Sequence, residues 1–192
     1  FTISMEDLEE SSGEQDVSGL LQSSKDVFSS IAGYNFSAAR FRARGYDSQN
    51  YTVMMNGVTL NSAESGRATW AYWGGLNDIT RYQESKPGIS ANPYAFGGLG
   101  GYSNIEARAS ALRPGTRFSS ALANRSYSSR WMATHASGLM KNGWALAASA
   151  STRMSQEGYV AGTFYSAASY FLSIEKRLNS RHSIGLVGFG AP

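Results

Sequence analysis

The chain contains no cysteine, which excludes disulfides, thiolate metal sites and thiol nucleophiles together. Charged residues make up 16%, against the roughly 25% usual in soluble domains. The net charge is +3 and no run of five or six basic residues occurs, so the sequence does not point to a nucleic-acid partner. Only 4 of the 192 residues are proline. No apolar stretch approaches the roughly 20 residues of a spanning helix. Strands of a membrane barrel need only about 10 alternating residues each, so a membrane is not excluded. Phe1–Glu10 is acidic and lacks the character of a signal peptide; the sequence is expected to be a mature or truncated form, or one never exported. The carboxylates Asp7, Glu9, Glu10, Glu14 and Asp16 fit a solvated linker better than a metal site. His135 and His182 fall on different expected strands without ligand spacing. Neither a phosphate-binding G-x-x-x-x-G-K-[ST] loop nor a G-x-S-x-G elbow is present. No catalytic residue, metal or cofactor is therefore expected.

What the chain does have is 21 glycines and 12% aromatics, a composition of many strands and tight turns. Its two parts follow different periods. Up to about position 112 the pattern is mixed. Val17, Leu20, Leu21, Phe28 and Ile31 share a helical face, with Asp16 as a candidate N-cap. A short strand is expected over 39–46, ending at Gly45. Residues 51–60 place apolar β-formers on both sides of Asn56-Gly57, the dipeptide of a two-residue hairpin turn. Another strand is expected over Ile79–Glu84, and glycine-rich segments occupy 65–75 and 88–101.

From 113 onward the period becomes two. Trp144, Leu146, Ala148, Ala150 and Met154 alternate with Ala145, Ala147, Ser149, Ser151 and Arg153. Phe164, Ala168, Tyr170, Leu172, Ile174 and Leu178 alternate with a second, more polar set, from which Phe171 departs. With 116–126, 128–139 and 182–190, five antiparallel strands are expected. Short connections at 140–143 and 179–181 differ from the longer one at 155–162, the asymmetry of an outer-membrane barrel with short periplasmic turns. The polar face is mostly Ala, Ser and Gly rather than Lys and Glu. Such a strand suits lipid on one side and packed protein on the other.

A series of motifs then occurs in a fixed order. It runs Arg42-Ala43-Arg44-Gly45, Val53-Met54-Met55-Asn56-Gly57-Val58 and Gly75-Leu76-Asn77-Asp78-Ile79-Thr80-Arg81. Lys86-Pro87-Gly88, Ala95-Phe96-Gly97-Gly98 and Gly100-Gly101-Tyr102-Ser103-Asn104-Ile105 follow. In order and spacing the series resembles the plug of TonB-dependent outer-membrane receptors. Stretches such as FRARGYDSQNYTVMMNGV, WGGLNDITR and EGYVAGTFY resemble a branch seen mainly in Bacteroidota. Two positions depart from the family pattern: Asn56 replaces the usual Asp, and Thr80-Arg81-Tyr82-Gln83-Glu84 lacks the first acidic residue of its strand.

The resemblance implies an α+β plug over 1–112, followed over 113–192 by the first strands of an incomplete outer-membrane β-barrel. A barrel of roughly 22 strands can enclose such a plug, which five cannot, so the sequence is expected to be a piece of one. The implied function is active uptake of a nutrient across the outer membrane. The implied partners are TonB, gripping a segment upstream of Phe1, the nutrient itself and outer-membrane lipid. The alternative is a plug-like binding or signalling module without transport. By resemblance Arg42 and Arg44, which share one strand face, lock the plug to barrel carboxylates. Gly45, Gly57, Gly97, Gly98, Gly100 and Gly101 shape the backbone. Arg67, Trp70, Tyr72, Trp73, Tyr94 and Phe96, in aromatic loops, are expected to contact substrate. Trp131, Trp144, Tyr159, Phe164, Tyr165 and Tyr170 are expected to face lipid or its interface.

Overall fold

The computed structural model describes residues 46–191 apart from 70–71, 97, 123–126 and 158–159. The expected helix near Val17–Ile31 and most of the strand over 39–46, with Arg42, Arg44 and Gly45, lie outside the described residues, as do Trp70, Gly97 and Tyr159. The described chain forms two compact units. One holds the residues before Tyr72 together with Thr80–Glu106, and the other holds Tyr72–Ile79 and the residues from Ala107 onward.

The first unit is built on a four-stranded mixed sheet. Its strands are β1 (Tyr51–Met55), β2 (Val58–Thr59), β3 (Gln83–Pro87) and β4 (Gly101–Ile105), in the order β2-β1-β4-β3. β1 and β4 run parallel, with Tyr51 opposite Gly101 and Met55 opposite Ile105. Val53, Met54, Met55 and all of β4 are buried, as expected of central strands covered on both faces. β3 is an edge strand carrying Glu84, Lys86 and Pro87, residues that discourage further pairing. Lys86 Nζ lies 3.1 Å from Glu84 Oε1. The Lys86 ammonium is held above its ordinary range, by the hydrogen bond to Glu84 first and by Tyr102 next.

The expected hairpin forms at Asn56-Gly57. Both residues have positive φ, 52° and 81°, the type I′ pattern that matches strand twist. Asn104 Oδ1 accepts from Gly57 N at 2.8 Å and ties the turn to β4. The loop after β2 is tied down by Asn61. Its Oδ1 accepts from Val53 N at 2.8 Å, and its Nδ2 donates to Tyr51 O at 2.9 Å and Gly66 O at 2.8 Å. Asn61→Ala removes three bonds and strands a donor on a buried residue, so a loss of roughly 2–3 kcal/mol is expected. Thermal melting of the full natural chain checks this, and an unchanged midpoint would contradict it.

The strand expected over Ile79–Glu84 starts later, as β3 at Gln83, and a one-turn helix, α1 (Asn77–Thr80), occupies its expected beginning. Leu76 and Ile79 are both fully buried, and their three-residue spacing is helical rather than alternating. Leu76 N donates to Trp73 O at 3.0 Å and Ile79 N to Leu76 O at 2.9 Å, which winds the segment.

The second unit is an antiparallel meander of five strands in sequence order. They are β5 (Gly115–Leu122), β6 (Ser129–Ala136), β7 (Trp144–Ser155), β8 (Tyr165–Arg177) and β9 (Ser183–Gly190). The sheet is open, with β5 and β9 at its edges. β7 pairs with β8 over its whole length, from Trp144 opposite Lys176 to Ser155 opposite Tyr165. Gly143, with φ 79°, closes the turn before β7, where Met140 N donates to Trp144 O at 2.8 Å.

Candidate functional site

The burial of this sheet is inverted relative to a soluble protein. Along β8, Leu172 is 49% exposed while its neighbour Ser173 is 1% exposed. Along β7, Trp144, Leu146 and Met154 are exposed while Ala145, Ala147, Ser149 and Ser151 are buried. Phe118 and Trp131 extend the exposed apolar face to β5 and β6, and Ile184 and Leu186 to β9. A water-facing sheet with this pattern would expose its apolar side chains and bury its hydroxyls. A lipid-facing sheet needs that arrangement. Trp144 marks one end of the face. Trp131, opposite Thr152, marks the other, eight residues along β7. At about 3.4 Å per residue and a tilt of roughly 40°, they stand about 21 Å apart along the normal, close to the roughly 25 Å apolar band between aromatic girdles. Among the described residues no helix is long and apolar enough to cross a membrane.

The buried face is packed by its own unit. Gly75 lies against Ser151 and Ser169. Trp73 meets Phe189 edge-on, with ring centroids 6.4 Å apart at 79°. Arg117 Nη1 lies 3.4 Å from the buried Asp78 carboxylate. Glu175 Oε2 accepts from Ser110 N at 3.1 Å. None of these partnerships could be read from the alternation that places their strands, because each joins residues 35 or more positions apart.

The residues expected to contact substrate separate into three groups. Tyr94 and Phe96 are exposed on one loop of the first unit, beside exposed Ile89 and Leu99. Asn92 Oδ1 accepts from Tyr94 N at 2.9 Å and shapes the loop. The Tyr94 ring lies on the Asn56-Gly57 turn, where a Cβ on Gly57 would stand 2.7 Å from it. The glycines that follow allow close passage along the 3-10 turn Ser48–Asn50. Gly100 N donates to Asn50 O at 2.9 Å, and a Cβ on Gly100 or Gly98 would sit 2.8 or 2.9 Å from that oxygen. Gly101, at φ 101°, leads into β4.

Arg67 is engaged within the protein. Its Nε and Nη2 donate to Asp47 Oδ1 and Oδ2 at 3.1 and 3.0 Å, a two-pronged pair that braces the loop after β2. The hydrogen bond to Asp47 first, and the charge of Asp47 second, raise the Arg67 guanidinium above its ordinary value. Tyr72 is exposed, but the adjacent Trp73 is 1% exposed. Trp73 is therefore a packing residue, a correction to its expected place among the substrate contacts. Tyr165 also differs from expectation. It lies on the inner face, with the Arg153 guanidinium 5.6 Å from its ring centroid, because odd positions of β8 point to the enclosed side.

A family model described as "TonB-dependent Receptor Plug Domain" matches residues 1–102. The chain belongs to that family. The fold agrees: a plug followed by antiparallel strands of an open sheet. No curated protein matches the chain. Among solved structures it is similar to the siderophore receptor PiuA from Acinetobacter baumannii, at 16% identity and a TM-score of 0.58, over 81% of this chain and 20% of that one. It is also similar to the siderophore receptor PirA from Pseudomonas aeruginosa, at 15% identity and 0.52, over 79% and 27%. The chain thus spans 20% and 27% of the lengths of these receptors. The plug family places the protein in the bacterial outer membrane.

Proposed function

We propose that this chain serves the TonB-dependent uptake of a nutrient across the outer membrane, with residues 1–112 as the plug and 113–192 as the first barrel strands. The observation that carries the proposal is the joining, in one chain, of a plug-family sequence to a sheet whose apolar face points outward. The outer membrane holds no ATP, so energy must arrive mechanically. TonB is the partner that supplies it, pulling on a segment upstream of the plug. In this reading Arg42 and Arg44 lock the plug, and a pair held by charge is reversible under such a pull. Phe96 and Tyr94 offer flat apolar faces on which a macrocycle, sugar or peptide can stack.

Uptake by cells carrying the full natural chain tests the proposal, using iron chelates, cobalamin, glycans and peptides as candidate nutrients. Accumulation of one of these is expected to disappear when TonB is removed. Binding that persists with no TonB-linked accumulation of any of them would favour a non-transporting module instead. Phe96→Ala is the cleanest probe of the loop, because Phe96 is fully exposed. It is expected to weaken binding of that nutrient roughly tenfold and leave melting unchanged. Unaltered affinity would remove Phe96 from the contact set.

A further inference from the structure

The end of the five-stranded sheet that carries its two tight turns differs chemically from the rest. Positions 137–144 and 176–183 contain Lys141, Lys176, Arg177 and Arg181 and no aspartate or glutamate. Lys141, Arg177 and Arg181 are exposed. The turns are neighbours, since Arg177 N donates to Gly143 O at 2.8 Å. Register gives the outer face a terminal row of Trp144, Lys176 and Ile184. Behind it stand Leu146, Ile174 and Leu186. Lys176 is therefore a cation set on an apolar face at its rim. Its Nζ lies 5.0 Å from the Trp144 ring centroid and donates to Asn142 O at 2.7 Å. The stem covers apolar surface and the head is carried past the last row, the posture of a lysine at a membrane boundary. One hydrogen bond uses one of three ammonium donors and leaves two for a ligand. An indole at the interface is the usual neighbour of such a site.

We infer that this turn end binds the headgroup phosphate of an anionic glycerophospholipid. Lys141, Lys176 and Arg181 supply the cationic donors, and the acyl chains lie along the apolar rows behind them. Charge complementarity identifies the occupant: the surface is cationic at its rim, apolar beneath, and without a carboxylate in either turn to compete with the phosphate. The inference rests on the outer face meeting lipid.

The test uses the full natural chain with phosphatidylglycerol and phosphatidylcholine of identical acyl chains. Lipid retention is read by native mass spectrometry. Tryptophan quenching by brominated forms of both lipids is read in vesicles. Phosphatidylglycerol is expected to be retained preferentially. Its retention should fall roughly fivefold for Lys141→Gln and about 25-fold for Lys141→Gln with Lys176→Gln, with phosphatidylcholine unchanged. Lys176→Arg should restore the preference. Lys141 lies in an exposed turn, so its single variant reports even where the double variant fails to fold. Quenching by both lipids with equal retention would overturn the headgroup site alone. A preference that survives the substitutions would overturn it too. Absence of quenching by either lipid would overturn the membrane placement and the site with it.

Discussion

Leu172→Arg is expected to destabilise the folded chain in a bilayer by roughly 2–4 kcal/mol. Leu172 lies in an outer row with Ala148 and Gly188, well inside the rim formed by Trp144, Lys176 and Ile184. Nothing at that depth solvates a guanidinium except its own reach toward the surface. Ile184→Arg, in the rim row, is expected to cost only about 0–1 kcal/mol, because the charge there reaches the interface. The contrast separates membrane from water. In a water-facing sheet both leucine and isoleucine are half-exposed or more, and both substitutions would fall within about 0.5 kcal/mol of neutral. Denaturant titration of the full natural chain folded into vesicles measures the pair. Equal, small effects would sink the lipid-facing assignment.

Gly75→Ala is expected to cost roughly 1–3 kcal/mol, and Gly75→Val more. An added Cβ would collide with the hydroxyls of Ser151 and Ser169 and stand 2.9 Å from Ser169 Cβ, on strands β7 and β8 that pairing holds in place. Both hydroxyls are buried with no hydrogen-bond partner among the described residues, so the backbone of Gly75 seals a surface that water does not reach. The segment Tyr72–Ile79 falls within the sequence matched by the plug model, yet it packs with the strands. Its fit on the inner wall thus has no spare volume. Gly75→Ala combined with Ser151→Ala and Ser169→Ala should recover part of the loss, because the colliding oxygens are gone. Melting of the four chains tests this, and a triple variant no more stable than Gly75→Ala would contradict the steric account.

The sheet was the most legible part of the fold. Period-two alternation over 144–154 and 164–178 predicts β7 and β8 within one residue at all four ends, because the two faces of each strand meet different surroundings. The small residues Ala145, Ala147, Ser149 and Ser151 mark the enclosed face, since close packing against protein selects small side chains. The Asn56-Gly57 turn was equally clear, being fixed by two backbone conformations that few residues adopt. Long-range pairing was not legible. The parallel neighbour of β1 begins at Gly101, fifty positions beyond Tyr51, and nothing local to either strand names the other. At Ile79 and Thr80 the β-formers Ile79 and Tyr82 favour a strand, and the three-residue spacing of buried Leu76 and Ile79 wins as a helix. The aromatic loop was visible as composition alone. Composition does not distinguish Tyr72, which faces solvent, from Trp73, which faces Phe189, because that choice is made by the packing of residues 116 positions away.

The proposed uptake requires that β5–β9 present their apolar face to lipid in the outer membrane. Spin labels placed one at a time at positions 170, 171, 172 and 173 of the full natural chain in vesicles test it most directly. Labels at 170 and 172 are expected to collide with oxygen dissolved in the bilayer and to be shielded from a water-soluble nickel chelate, while those at 171 and 173 reach neither freely. Labels at 170 and 172 that meet the nickel chelate as readily as oxygen would place that face in water and contradict the account.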